Sequence, residues 1–310
     1  MAPAPKTFVV VNPRSGGSRG RHLWPRLADQ LHRTLGPFDF EFTNAGGAGT
    51  ILATQAIAQG YRRLIAVGGD GTVNEVLNGV MTEDGQILHP DVTLAAIPTG
   101  SGTDYWRSLG LPEEPFAALK YLNRARLRHY DIGRVALHTH DGHALVRYFC
   151  NVADVGLGGD VVDRAKKLPS WGQGTINYCV GAIGAFWQWG APDITLAIDD
   201  EPETRQPITT VIVAIGQYCG GGMHVAPRAK LDDGRFDLVV VGALSRWCLL
   251  ELLPKLYTGK LDRQEQIGVR TAHTLTLHSS HPVRITLDGE IAGQLPAQFQ
   301  LLPRVLPILA

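Results

Sequence analysis

Val67-Gly68-Gly69-Asp70-Gly71-Thr72 sets one carboxylate among three glycines, between a short apolar run and an amphipathic one. Leu64-Ile65-Ala66-Val67 has the length and branching of a buried strand, and Val73, Val76, Leu77 and Val80 recur at the spacing of one helix face. Glycines at such a junction let the backbone approach an anion. The first N–H groups of the helix, with the positive end of its dipole, favour negative charge there. The segment therefore reads as a phosphate-handling turn. Asp70 would repel a bare phosphate, which argues for a divalent cation or a cation network shared with a nucleotide. The plainer alternative is a tight turn whose Asp caps a helix.

Further segments carry groups that could do chemistry. Leu231-Asp232-Asp233-Gly234 and Asp288-Gly289-Glu290 each contain Asp-Gly, which by composition is a turn beside a strand, with Glu290 solvated at a hairpin. His138, His140 and His143 have metal-like spacing, but a hairpin turn falls between the last two and neither carboxylate nor cysteine supports them. They read as surface histidines. Phe186-Trp187-Gln188-Trp189, with Trp171 and Tyr178, fits either a helix buried against a sheet or an apolar surface that dips into a bilayer.

Two kinds of pattern must position these residues. Over residues 6–110 strand and helix signals alternate, with strands over 8–11, 38–42, at Leu64 and over 92–97, and helices over 23–35, 50–59 and from Val73. This implies right-handed crossovers and a mostly parallel sheet, with ligands beyond the carboxyl ends of its strands. The Asn12, Asp70 and Ser101 loops should converge there. From about residue 131 the period becomes two. A hairpin of 134–138 with 144–149 turns at Asp141-Gly142, 194–198 pairs with 208–215, and further strands cover 237–241 and 283–287. This is an antiparallel β domain with a helical insert over about 171–189.

The chain of 310 residues, 44% hydrophobic, is long enough to fill two cores. Its 29 basic and 29 acidic side chains cancel, which argues against a nucleic-acid partner held by phosphate neutralisation. Residues 1–8 are too short and too interrupted by proline for the apolar core of a signal peptide. The longest apolar tract, residues 176–190, falls short of the roughly 20 residues of a spanning helix. A cytoplasmic protein is expected, with Cys150, Cys179, Cys219 and Cys248 as reduced thiols.

Gly68-Gly69-Asp70-Gly71-Thr72 resembles the signature shared by diacylglycerol kinases and related lipid kinases, by NAD kinases and, more loosely, by phosphofructokinases. The stretch from Val9 through Asn12-Pro13-Arg14-Ser15-Gly16-Gly17 resembles the first strand and turn of the lipid kinases. Pro98-Thr99-Gly100-Ser101-Gly102-Thr103-Asp104 resembles their second nucleotide loop, with Thr103 where the family usually has Asn. Gly220-Gly221-Gly222-Met223 through Ala226-Pro227, then Leu231 to Asp237, is similar to the long signature of their second domain, and Asp288-Gly289-Glu290 completes the order.

The resemblance implies an N-terminal doubly wound, mostly parallel α/β nucleotide-binding domain over residues 1–130, rejoined by residues 299–310. A C-terminal antiparallel β-sandwich domain covers 131–298. It implies a soluble kinase that transfers the γ-phosphoryl of ATP, with Mg²⁺, to the hydroxyl of diacylglycerol or a related lipid alcohol such as a sphingoid base. Such an enzyme works as a peripheral protein at the inner, cytoplasmic membrane face. Whether it is a homodimer is left open.

By the same resemblance the nucleotide contacts are Asn12, Pro13, Arg14, Ser15, Gly16, Thr43, Gly68, Gly69, Asp70, Gly71, Thr72 and Ser101. Asp70 organises metal and triphosphate charge, and Glu290 is the general base toward the acceptor hydroxyl. A structural divalent cation is implied at Asp233 with the carbonyls of Lys230 and Arg235. Asp104, Asp131 and Lys166 or Lys167 match a charged network around the active site. The usual P-loop is absent, since Gly259-Lys260-Leu261 departs from it at once. Two alternatives stand beside this reading. An NAD kinase shares Gly-Gly-Asp-Gly-Thr, but the Asn12-Pro13 turn, the Gly220 to Met223 segment and the Asp288 to Glu290 ending speak against it. A non-catalytic lipid- or nucleotide-binding protein on the same fold is favoured by Thr103 alone.

Overall fold

The computed structural model describes residues 5–167, 180, 181, 184, 185, 187, 189–259 and 266–310. The chain divides into two units, residues 1–130 with 304–310, and residues 131–303.

In the first unit the alternation becomes β1 (Thr7–Val11), α1 (Ser15–Leu35), β2 (Asp39–Phe42), α2 (Ala48–Ala58), β3 (Arg63–Gly68), α3 (Asp70–Val80), β4 (Thr93–Pro98), α4 (Asp104–Leu109) and α5 (Pro115–Leu122). The strands pair in parallel in the order β4-β3-β1-β2. Alternate residues of each strand face opposite layers. Val9, Val11, Ile65, Val67, Ala95 and Ile97 share one core with Trp24, Leu27 and Leu31 of α1 and Leu119 of α5. α2 and α3 pack on each other, and Ala53 with Val76 and Leu77 is buried in their layer. The regular helix expected from Leu23 reaches back to about Arg19, while Gly16, Gly17 and Ser18, with φ of 56°, 66° and 76°, leave the right-handed helical region and separate it from the turn at Ser15.

The second unit carries β5 (Leu127–His138, from Asp131 onward), β6 (Ala144–Phe149), β7 (Val152–Gly156), α6 (Leu157–Lys167), β8 (Asp193–Ile198), β9 (Thr204–Ala214), β10 (Tyr218–Cys219) and β11 (Met223–His224). After these come β12 (Phe236–Gly242), α7 (Arg246–Thr258), β13 (Ile267–Ala272), β14 (Thr274–His278), β15 (Arg284–Leu287) and β16 (Glu290–Leu309). Pairing is antiparallel along β13-β12-β9-β7-β15-β16, and β8 joins β9 to β14. One large apolar core includes Phe149, Val213, Phe236, Leu275, Ile285 and Phe299. The β5–β6 hairpin turns at Asp141-Gly142 as expected, with Gly142 at φ 87°.

Two expectations need correcting. The partner of β8 is Thr204–Pro207, not the stretch from Ile208, because β9 is long and its later residues lie between β7 and β12. The segment that rejoins the first unit starts at Arg304 and not at residue 299. Gln298, Phe299 and Gln300 pair with β14, and Phe299 is buried against Phe149. Only the end of β16 reaches the first unit's sheet, where Ile308 pairs in parallel with Leu94.

Of the aromatic tract, Trp187 is exposed and Trp189 packs beside Leu157, Val161 and Ala185, while Trp171, Tyr178, Phe186 and Gln188 lie outside the described residues. Lys260 and Leu261 also lie outside them, as does Cys179; among the described residues Cys150, Cys219 and Cys248 form no disulfide. Among the described residues no helix is long and apolar enough to cross a membrane.

Candidate active site

The parallel register brings the carboxyl ends of β1, β3 and β4 side by side, with Val11 opposite Val67 and Gly68 opposite Pro98. The loops that follow are stitched by their backbones. Asn12 N donates to Val67 O at 2.9 Å, Thr43 N to Val11 O at 2.9 Å, and Thr99 N and Gly100 N both to Gly68 O, at 2.8 and 3.0 Å. Asn12, Thr43, Gly68 and Ser101 therefore belong to neighbouring loops at one sheet edge, as the alternation predicts.

Side chains of α3 then tie these loops together. The Asp70 carboxylate accepts from Asp104 N at 3.0 Å and Tyr105 N at 3.2 Å, so it caps α4 rather than its own helix. The Thr72 hydroxyl accepts from Asn12 Nδ2 at 3.2 Å. Glu75, one turn further on, accepts from Gly47 N and Gly49 N, each at 2.8 Å, at the start of α2. Three positions on one helix thus bind three different loops.

The glycines are required by these approaches before any ligand is considered. A Cβ on Gly100 would lie 2.5 Å from Gly69 Cα, and one on Gly68 would lie 2.1 Å from Thr72 Oγ1. A Cβ on Gly16, itself at φ 56°, would lie 2.4 Å from Thr99 O. Gly100→Ala is expected to force the β3 and β4 loops apart and to lower stability by about 1–3 kcal/mol. Urea unfolding measures this, and an unchanged midpoint would show that the loops do not depend on the contact.

In the β1–α1 loop Asn12 Oδ1 accepts from Arg14 N at 3.0 Å, Pro13 O accepts from Arg21 N at 3.2 Å, and the buried Ser15 hydroxyl lies 2.7 Å from Thr99 Oγ1. Arg14 and Ser101 are exposed, Gly71 is half-buried and Thr43 is buried. Thr103 has a partner of its own. Its hydroxyl donates to Glu113 Oε2 at 2.7 Å, and Arg107 binds both Glu113, at 2.8 Å, and Asp104, at 3.1 Å.

The remaining candidates lie in the second unit. Asp288, at φ 48°, and Gly289, at φ 84°, form the turn between β15 and β16, and Glu290 is the exposed first residue of β16. Asp288 is buried, and its carboxylate accepts from Cys150 N, Asn151 N and Val152 N at 3.1, 2.9 and 3.1 Å. That fixes the hairpin that presents Glu290. The fully buried Asp131 accepts from Gly234 N at 2.7 Å, while Asp233 Oδ1 accepts from Arg235 N at 3.2 Å. Burial, then the charge of Asp233, raises the Asp237 carboxyl above its usual range, with Arg228 opposing. Lys167 pairs with Asp163 at 2.8 Å, and the side chain of Lys166 lies outside the described residues. Among the described residues no three His, Cys, Asp or Glu side chains come together as a metal cluster. His138, His140 and His143 lie on the β5–β6 hairpin and its turn, with His143 3.4 Å from Asp141.

Sequence reasoning missed Glu75, Asp288 as a tether, and Asp154. Burial pushes Asp154 on β7 up to about 6 against the donors Thr210 Oγ1 and Gly158 N. Glu75 gives no sequence signal, because it lies on the side of α3 opposite Val73, Val76, Leu77 and Val80, where a solvated carboxylate is the ordinary reading.

Residues 117–310 match the family described as YegS C-terminal NAD kinase beta sandwich-like domain, and residues 6–135 match the diacylglycerol kinase catalytic domain. A diacylglycerol kinase of Mycobacterium tuberculosis (strain ATCC 25618 / H37Rv) is 28% identical over 98% of this chain and 94% of its own. One of Staphylococcus saprophyticus is 26% identical over 94% and 90%. A crystal structure of a diacylglycerol kinase from Bacillus anthracis str. Sterne superposes with a TM-score of 0.75 at 23% identity, covering 98% of this chain and 96% of that one. Yeast NADH kinase complexed with NADH gives 0.55 at 11% identity, over 99% and 83%. At these identities the two structures speak for the fold alone.

Proposed function

The chain belongs to the family of the YegS C-terminal NAD kinase beta sandwich-like domain, here joined to a diacylglycerol kinase catalytic domain, and from that membership we propose an ATP-dependent lipid kinase. It transfers the γ-phosphoryl to the hydroxyl of diacylglycerol or a related lipid alcohol, working peripherally at the cytoplasmic face of the membrane. The observation that carries this reading is the convergence of the Asn12, Gly68–Thr72 and Thr99–Thr103 loops at one sheet edge, bound together by Asp70 and Thr72.

A loose transition state asks the protein mainly to hold triphosphate and acceptor in line. The backbone from Asn12 to Gly16 and from Gly68 to Thr72, with the hydroxyls of Thr43 and Ser101, would hold the nucleotide. Glu290 would accept the acceptor's proton as the new P–O bond forms and ADP leaves. Mg²⁺, when bound with ATP, offsets the triphosphate charge. For the structural cation, Asp233 with the carbonyls of Lys230 and Arg235 is an all-oxygen donor set that suits Mg²⁺ or Ca²⁺. The upward push of Asp233 on Asp237 is a repulsion that such a cation would relieve. Asp233→Ala is expected to make the melting temperature insensitive to added Mg²⁺, since a cation that binds only the folded state stabilises it by mass action. A wild type whose melting does not respond to Mg²⁺ or Ca²⁺ over a chelator control would remove the cation from this segment.

The deciding experiment is Mg²⁺-dependent transfer of labelled phosphate from ATP to a panel of lipid extracts, with NAD as a parallel acceptor. Labelled lipid is the expected product. Labelled NADP would make the protein an NAD kinase, and nucleotide binding without transfer would make it a non-catalytic member of the fold.

A further inference from the structure

Thr103 stands at the N-cap of α4 and yet does not cap it. Its side chain makes no bond to the helix, and its backbone, at φ −135° and ψ 27°, lies outside the extended region from which an N-cap hydroxyl reaches the second and third amides. The hydroxyl donates instead to Glu113 Oε2 at 2.7 Å. Asp70 takes the vacant place, one carboxylate oxygen accepting from Asp104 N and the other from Tyr105 N. Tyr105 N is the second amide of α4, a donor that the Thr103 hydroxyl would claim in capping geometry. Thr103 and Asp70 are thus rivals for one N–H.

The fold sets Glu113 where it decides between them. Gly110, left-handed at φ 69°, ends α4 and turns the chain back, with Leu111 N donating to Trp106 O at 2.9 Å. Glu114 caps α5 through Ala117 N at 2.7 Å, and α5 is held by its buried Pro115, Ala118, Leu119 and Leu122. Glu113 comes to lie beside the first turn of α4. There its carboxylate also accepts from Arg107 Nε and Nη2, at 3.1 and 2.8 Å, a two-pronged pair that fixes the plane of the carboxylate. The side chains of Arg107 and Glu113 are 33% and 40% exposed, so the pair adds little stability. Its consequence is orientation.

We propose that Glu113 is a positioning residue of the phosphoryl-transfer site: by holding the Thr103 hydroxyl off α4, it reserves Tyr105 N for Asp70 and fixes both oxygens of that carboxylate. The inference rests on the transfer site proposed above. Glu113 touches no reacting atom. Its effect therefore depends on the Thr103 hydroxyl, and that dependence separates it from a mere prop for Arg107.

The test uses the full chain, with kcat for lipid phosphorylation and the melting temperature measured in wild type, Glu113→Ala, Thr103→Val and the double variant. Glu113→Ala releases the hydroxyl, and loss of one of the two bonds to Asp70 is expected to lower kcat about fivefold, the net contribution of one hydrogen bond. Thr103→Val removes the rival hydroxyl and keeps the branched shape. In that background Glu113→Ala is expected to change kcat by less than twofold, a coupling that independent structural props would not show. A fivefold loss that persists in the Thr103→Val background assigns the effect to Arg107 and overturns the proposal. A kcat within twofold of wild type in Glu113→Ala overturns it likewise. Should Glu113→Ala fail to fold, Glu113→Ser, too short to reach Thr103, is read by the same two comparisons. Wild-type protein that phosphorylates no lipid overturns the transfer site itself, and this inference with it.

Discussion

Asp70→Asn is expected to leave less than a tenth of wild-type kcat for lipid phosphorylation while the protein stays folded. The substitution keeps size and one acceptor oxygen but removes the charge proposed to organise metal and triphosphate. Loss of such a preorganised electrostatic group costs roughly 10²–10³ in rate. The structure gives Asp70 a second task, as cap of α4 through Asp104 N and Tyr105 N. Asn can accept only one of these, so a stability loss of about 1 kcal/mol accompanies the loss of rate. Measured together, kcat and melting temperature separate the two tasks. A variant that melts a few degrees lower yet retains more than a tenth of wild-type kcat would make Asp70 a helix cap and nothing more.

Glu290→Gln is expected to lower kcat by roughly 10²–10⁴, the usual cost of removing a general base. ATP affinity should hardly change, because the residue is assigned to the acceptor and not to the triphosphate. The hairpin should also survive, since its geometry is carried by Asp288 and Gly289 in the turn and by the buried Asp288 carboxylate on three N–H groups. This makes the substitution a clean test. An exposed residue that serves only as the end of a turn changes little when mutated, usually within about 0.5 kcal/mol and with no effect on a chemical step. A kcat within threefold of wild type would return Glu290 to that role and leave the proton acceptor to be found elsewhere.

Periodicity exposed the strands and helices of the first unit because each buries one face and the glycine-rich junctions punctuate them. Thus Leu64 to Thr72 is legible as strand, turn and helix start without any partner in view. What the glycines do was less legible. Gly68 and Gly69 read as room for an anion, whereas the nearest need is the contact of Gly68 with Thr72 and of Gly69 with Gly100, some 30 residues along the chain. Glu75 was hidden for the same reason, since its partners Gly47 and Gly49 are distant in sequence and give no local signal. Thr103, a departure from the family's usual Asn, has a partner ten residues on in Glu113, which no motif spacing announces. β9 and β16 were read too short because a strand that changes partners midway keeps one sequence pattern while serving two pairings.

β16 also orders events in time. The first unit needs Ile308 beside Leu94, and Ala310 exchanges backbone hydrogen bonds with Arg126, yet these residues are translated after all of residues 131–303. During synthesis the β4 edge of the parallel sheet stays open while the whole second unit is made. An open edge is a template for pairing with other chains, so a ribosome-bound chain passes through a stage in which its parallel sheet is nearly assembled and that edge is still adhesive. That stage ends only when the last strand arrives.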